Sequence, residues 1–205
     1  MPHLSIAKAS EIGLDQGRID TAYNLLREWT TGPDATVPGG AIVVGRNGKI
    51  VEPKFFGKQG AEPSAVDIRR DGMFLLASIT KPVTYMAAMI LVERGLLNLT
   101  DPVMRYIPDF AAHHKEETLV LHLFTHTSGM PDMVPDNAEL RQKHAPLKTF
   151  IDGAINAMPL FSPGTDSSYQ SMGTLVVAEL IQRISGMTIH EFIRREMLEP
   201  LGLKS

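Results

Sequence analysis

The order of apolar and polar residues along the chain predicts six helices. The first, from Gln16 to Trp29, carries apolar residues at intervals of three and four, so one face should pack against the protein. The longest runs from Ser78 to Gly95, where glycine can take the left-handed conformation that ends a helix. The other predicted helices cover residues 119–129, 147–157, 172–185 and 188–198.

Predicted strands are confined to the N-terminal part of the chain. Two runs of strand-forming residues, 40–46 and 49–57, flank the pair Asn47-Gly48, which suits a two-residue hairpin because both positions tolerate positive φ. A polar loop is predicted at 58–72, and a short strand is predicted from Met73 to Leu76. Because an isolated hairpin is only marginally stable in water, we expect the sheet to need further strands.

Composition and charge narrow the range of functions. A chain of 205 residues with 43% hydrophobic and 21% charged residues is ordinary for a globular protein. The net charge of -3 leaves no basic field to hold nucleic acid, and the apolar stretches are too short for a membrane span. With no cysteine, disulfides, thiol catalysis and thiolate metal sites are excluded. The absence of a visible export signal predicts a cytoplasmic protein.

A serine and a lysine stand three positions apart at the start of the longest predicted helix. Residues at that spacing share one face, so Lys81 can bring its amine to the Ser78 hydroxyl. Pro82 lacks an N–H and is comfortable only in a first turn, which predicts a helix start at about Ser78. A serine becomes a nucleophile when a base takes its proton, and apolar surroundings favour the neutral amine that does so.

The same residues have a simpler interpretation, as an N-capping serine followed by a solvated lysine. A second Ser-x-x-Lys, at Ser5 and Lys8 in a predicted unstructured leader, shows how readily the pattern arises. Tyr169 lies 91 residues beyond Ser78 at the predicted entry to another helix. A phenol beside a lysine can share in moving protons, although a half-buried aromatic residue is the alternative.

Other polar residues have less specific patterns. His113, His114, Glu116 and Glu117 could be drawn as a metal site, but adjacent side chains point apart, so we interpret them as a solvated turn. His126 is predicted to be a buried, hydrogen-bonded structural histidine. The chain has neither a glycine-rich phosphate loop nor Gly-x-Ser-x-Gly, which argues against nucleotide binding and an α/β-hydrolase.

Four segments carry a family resemblance. The segments "SITK", "MILVERGLLNLTDPVMRYIPDF", "LHLFTHTSGM" and "FSPGTDSSYQSMGTLVVAELIQRISGMTIHEFIRREMLEPLGL" resemble the serine beta-lactamase and penicillin-binding-protein superfamily, in particular class C beta-lactamases and beta-lactamase-like carboxylesterases. The resemblance runs from about Gly39 to Leu203. It implies an α/β three-layer fold, an antiparallel sheet with flanking helices plus a helical domain. We expect one incomplete domain over residues 1–205, with an N-terminal helix and a sheet hairpin at about 16–76 and the Ser-x-x-Lys helix and helical region at about 77–205.

The resemblance assigns roles to individual residues. Ser78 would be the acylated nucleophile, Lys81 its general base and Tyr169 a proton shuttle, with no metal or organic cofactor. The family's middle motif is commonly Tyr-x-Asn, whereas this chain has Tyr169-Gln170-Ser171. Gln170 and Ser171 are predicted to contact a small-molecule ester or amide substrate. Because Ser171 lacks the amide that would hold a beta-lactam, an ester is favoured.

The family's third motif, Lys or His followed by Thr or Ser and Gly, has no counterpart in the sequence. In the family it supplies half of the oxyanion hole, so we expect that a missing C-terminal segment is needed to complete the sheet and that the 205-residue chain alone has little activity. A beta-lactamase or D-Ala-D-Ala peptidase-like acylase remains an alternative. A non-catalytic module that binds a ligand or partner is another.

Overall fold

The computed structural model describes residues 4–203, and the chain divides into two compact units, Met1–Leu75 and Leu76–Ser205. The N-terminal unit contains helix α1, Gln16–Thr31, which confirms the predicted helix and extends it by two residues. Asp15 caps α1, because its carboxylate accepts the Arg18 N–H at 3.0 Å. The buried side chains of Ile19 and Tyr23 lie on the face of α1 that packs in this unit.

Short strands form two small sheets in the N-terminal unit. β3 (Gly45–Arg46) and β4 (Lys49–Ile50) pair antiparallel around Asn47-Gly48, whose φ values of 53° and 73° confirm the predicted turn. β2 (Gly39–Ile42) pairs antiparallel with β5 (Lys54–Gly57) in a separate sheet. Each predicted strand of the hairpin is therefore split into two short strands.

Two expectations for the N-terminal unit are wrong. The segment predicted to be an unstructured leader contains β1, Ser5–Ile6, which pairs parallel with β4, and a 3₁₀ turn at Ala9–Ile12. Residues 73–76 do not form the predicted strand. Although these residues are apolar, a strand also needs a neighbouring backbone, and none of the residues that the structure describes pairs with them.

Helix α2, Thr80–Glu93, opens the C-terminal unit after a 3₁₀ turn at Ala77–Ile79. Its start is within two residues of the predicted one. Gly95 takes φ 69°, so the predicted glycine stop is confirmed. The remaining helices are α3 Val120–Phe124, α4 Asn137–Gln142, α5 Leu147–Ile155, α6 Met172–Ser185 and α7 Ile189–Ile193, the last continuing into a π-helical turn, Arg194–Leu198.

Two of these helices differ from what the sequence predicts, and a third begins as predicted. α3 ends at Phe124 instead of Gly129, because the chain turns at His126, which has φ 60°. The short polar helix α4 lies in a stretch that carries no apolar stripe, and no helix was predicted there. Thr188 caps α7 by accepting the Glu191 N–H at 3.2 Å, which confirms the predicted helix start.

A single hydrophobic core holds the C-terminal unit together, and α2, α5 and α6 supply much of it. It also encloses a charged group, because Lys115 is completely buried and its Nζ donates to the carbonyls of Ile155 and Ala157 at 2.7 and 2.6 Å. His113, His114, Glu116 and Glu117 around it are exposed and lie in a turn, which confirms the predicted solvated turn. Among the core's largest fully buried apolar side chains are Leu91, Ile107, Phe110, Leu123, Met130, Leu180, Ile181 and Phe192.

Within residues 4–203, no helix is both long and apolar enough to cross a membrane. In the same range, no three His, Cys, Asp or Glu side chains come together as metal ligands.

Candidate active site

The Ser78 side chain lies in the short turn that leads into α2, and it is exposed. The residue before it, Ala77, takes φ 48°, a left-handed conformation that disfavours residues with a Cβ. Such backbone outliers cluster at functional sites, where the surrounding structure maintains the strain. The nucleophile predicted from the sequence therefore follows directly on a strained residue.

Lys81 follows in the first turn of α2 and is 9% exposed. Its Nζ lies 3.4 Å from Ser78 Oγ and 3.1 Å from Ser171 Oγ, donating to both. The same ammonium group lies 4.6 Å from the centre of the Tyr169 ring, within range of a cation–π contact. Lys81 thus contacts three side chains of the candidate site from one position.

Tyr169 contacts the predicted nucleophile, Ser78, directly. Its phenolic O–H donates to Ser78 Oγ at 2.7 Å, the usual distance for a hydrogen bond between two hydroxyl groups. The interaction with Lys81 lowers the pKa of the Tyr169 phenol below its usual value, and the bond to Ser78 acts in the same direction. A lowered pKa favours the phenolate, which can take a proton from the serine.

The two remaining predicted site residues, Gln170 and Ser171, differ in where their side chains lie. Ser171 precedes α6, and its hydroxyl accepts the Lys81 hydrogen bond. Gln170 is completely buried, and its Oε1 accepts a hydrogen bond from Ser128 Oγ at 2.6 Å. This placement in the protein interior does not support the predicted contact between Gln170 and a substrate. Ser171 instead lies where it can hold the lysine in place.

A loop that we call the cradle loop, residues 126–132, lies along the segment 168–171. The His126 carbonyl accepts the Ser168 N–H at 2.9 Å, and His126 Nδ1 accepts the Gln170 N–H at 3.3 Å. The ring of His126 packs against the Tyr169 ring, with centroids 4.9 Å apart. Further along the loop, the Asp132 carboxylate accepts the Ser171 N–H at 2.8 Å.

Sequence reasoning identified only part of this loop. His126 was predicted to be a buried, hydrogen-bonded structural histidine; it is hydrogen-bonded but only partly buried. Its contact with Tyr169 was missed, as were the roles of Ser128 and Asp132. These contacts join residues about 40 positions apart, so no local spacing indicates them. Burial lowers the pKa of the His126 imidazole, and nearby Lys81 lowers it further, while Asp132 opposes them.

The arrangement suits covalent catalysis by a hydroxyl. Ser78 Oγ is the exposed atom on which the phenol of Tyr169 and the amine of Lys81 converge. Both groups can exchange a proton with the serine without moving far.

Comparison with known proteins places the chain in a family. The Beta-lactamase family model matches residues 26–205. Esterase EstB of Burkholderia gladioli is 30% identical over 181 residues, which cover 81% of this chain and 46% of EstB. A penicillin-binding protein of Bacillus subtilis is 27% identical over 168 residues, covering 80% of this chain and 36% of that protein.

A solved structure agrees with these matches. The octameric penicillin-binding protein homologue from Pyrococcus abyssi superposes with a TM-score of 0.77 at 27% identity, covering 92% of this chain and 43% of that one. The chain thus spans between about a third and a half of the length of these relatives. The predicted superfamily and three-layer α/β fold are confirmed, with part of the fold present here. The chain belongs to the beta-lactamase family of serine hydrolases.

Proposed function

We propose that the protein hydrolyses carboxylic esters through an acyl-enzyme formed on Ser78. The observation that carries the proposal is the convergence of two proton-exchanging groups on one hydroxyl, with Tyr169 Oη at 2.7 Å and Lys81 Nζ at 3.4 Å from Ser78 Oγ. A ligand-binding module has no need for this arrangement. It therefore favours an enzyme over the non-catalytic alternative.

In the proposed reaction, Ser78 Oγ attacks the ester carbonyl while its proton passes to the phenolate form of Tyr169 or to the neutral amine form of Lys81. The tetrahedral intermediate collapses, its bond to the alkoxide breaks, and the departing alcohol takes up the proton. A water molecule then attacks the acyl carbonyl, loses a proton to the same groups and releases the carboxylic acid. Ser78 regains its hydrogen, so the enzyme returns to its starting state.

The choice of an ester rests on two observations. The esterase from Burkholderia gladioli is a relative at 30% identity. Ser171 occupies the position where the family commonly has asparagine, and its hydroxyl is already engaged by Lys81, so no amide is offered there to a beta-lactam side chain. Acylation by beta-lactams or D-Ala-D-Ala peptides is the second candidate, because the relatives also include penicillin-binding proteins.

The proposal is tested by measuring the intact mass of the chain before and after a fluorophosphonate probe, with Ser78→Ala as control. We expect one adduct on the wild-type chain and none on the variant. Turnover of short-chain p-nitrophenyl esters and of a penicillin is then compared. Absence of a Ser78-dependent adduct overturns the proposal for this chain. If the penicillin acylates Ser78 faster than the esters do, the second candidate is favoured over ester hydrolysis.

Little ester turnover is expected from the 205 residues alone. Their sequence lacks the family's third motif, and loss of one oxyanion donor costs about 10²–10³ in rate. Labelling and turnover are therefore scored separately. An adduct without turnover supports the nucleophile and leaves the substrate to be identified.

A further inference from the structure

We propose that His126 is a positioning residue that holds the Tyr169 phenol against Ser78 only while its imidazole is neutral. The inference rests on the proposed function in one respect, since Tyr169 is taken to serve Ser78. It concerns a residue that does not touch Ser78 and acts through the tyrosine.

Three contacts join His126 to the tyrosine segment. The backbone carbonyl of His126 accepts the N–H of Ser168, and its Nδ1 accepts the N–H of Gln170. The two residues that flank Tyr169 are therefore bonded to the same histidine. The imidazole ring packs on the Tyr169 ring at 4.9 Å between centroids and 35° between planes. Backbone and side chain of Tyr169 are thus restrained together.

The backbone of His126 is in an unfavourable conformation. Its φ of 60° lies in the left-handed region, which residues with a Cβ adopt rarely. His113, His114 and His144 also have positive φ, but all three are exposed. His126 differs because its carbonyl and its ring both contact the segment that presents Tyr169. These contacts offset the cost of the conformation.

The contact at Nδ1 depends on the protonation state. Nδ1 accepts a hydrogen bond, so it carries a lone pair and the ring proton resides on Nε2. Protonation would place an N–H against the Gln170 N–H and a second cation near Lys81. The groups that influence the ring are Lys81 of α2, Asp132 of the cradle loop and the phenol of Tyr169. Burial and Lys81 lower the pKa of the His126 imidazole below the usual histidine value, which favours its neutral form.

The test follows Tyr169 itself and does not need catalysis. The chain contains four tyrosines, so NMR of a sample labelled at tyrosine Cζ gives a small set of signals, and Tyr169→Phe assigns one. In the wild-type chain, we expect the Tyr169 signal to report the lowered phenol pKa and to show a second inflection at acidic pH, where His126 takes up its proton. Both features are measured in one titration.

Two variants separate positioning from folding. His126→Asn keeps a side-chain acceptor and tolerates positive φ, but it cannot titrate. It should retain the Tyr169 signal and lose the acidic inflection. His126→Ala removes the acceptor and the ring, so the Tyr169 pKa should move toward its ordinary value. His113→Ala changes an exposed histidine with φ 64° and should alter neither feature.

Reactivity of Ser78 gives the second readout. We expect fluorophosphonate labelling of His126→Ala to be about 10-fold slower or more, because general acid–base groups contribute about 10²–10⁴ only when they are in place. An unchanged Tyr169 titration in a folded His126→Ala chain, or an acidic inflection that persists in His126→Asn, overturns the inference. If Ser78 is never labelled but the Tyr169 signal responds as described, the inference holds and the proposed function fails.

Discussion

Lys81 Nζ donates a hydrogen bond to Ser171 Oγ at 3.1 Å, although 90 positions separate the two residues. Ser171 stands where the family commonly carries asparagine, and in this chain its hydroxyl contacts the lysine. The lysine is thereby held between the nucleophile and the start of α6. The short serine side chain can hold the lysine because its hydroxyl needs to reach only one donor.

Ser171→Ala should therefore slow acylation of Ser78 by about 10-fold while leaving the fold intact. The variant removes the oxygen that holds Lys81 Nζ, so the amine samples positions further from Ser78. The rate of fluorophosphonate labelling measures the effect. Ser167→Ala, which changes an exposed serine nearby, is the matched control and should label at the wild-type rate. Equal rates for both variants would show that Ser171 does not position the lysine.

Tyr169→Phe should reduce labelling by about 10²–10⁴, because it removes a proton-exchanging group from Ser78. The pH dependence identifies the mechanism. The pKa of the Tyr169 phenol is lowered from the ordinary 10.0, and the phenolate is present above that lowered pKa. The rate of Ser78 labelling should therefore fall as the pH decreases through it. The phenylalanine variant should lack this limb. A pH profile that is the same in both proteins would assign the limb to another group.

Gln170→Met tests the buried amide. The Ser128 hydroxyl would lose its acceptor in the protein interior, so the free energy of unfolding should fall by about 1–3 kcal/mol. Chemical denaturation measures this change. If esters are turned over, KM should be unchanged, since Gln170 is fully buried. A large increase in KM without loss of stability would instead support the substrate contact predicted from the sequence.

Lys115→Met tests the buried lysine. Its Nζ donates to two carbonyls at and just beyond the C-terminal end of α5, and their loss should lower the free energy of unfolding by about 1–3 kcal/mol at pH 7. Lys143→Met, at an exposed ion pair with Glu139, should cost little.

The same lysine predicts a pH dependence of stability. Burial lowers the pKa of Lys115 to about 8 from 10.5, so between these values the unfolded chain binds more protons than the folded one. The stability of the wild-type chain relative to Lys115→Met should therefore rise as pH increases from about 8 to 10.5. Denaturation midpoints measured across this range provide the check. A constant difference would mean that the lysine titrates as it does in water.

Features set by neighbouring residues follow from the sequence alone. The Asn47-Gly48 turn, the glycine stop at Gly95 and the approach of Lys81 to Ser78 each lie within one turn of backbone, where dihedral preferences and spacing decide the outcome. The family segments likewise predict the superfamily and the three-layer fold. Local chemistry is sufficient for these features because the groups involved are covalently close.

Only the tertiary structure decides which distant groups meet. Tyr169 reaches Ser78 across 91 positions, and His126 contacts the backbone of Gln170 across 44, so both contacts depend on how several helices and loops pack. The burial of Lys115 and of Gln170 is decided in the same way, because neighbouring sequence does not reveal which side of a loop faces the core. The sequence by itself determined the candidate nucleophile and its lysine. Packing determined how the phenol is held against them.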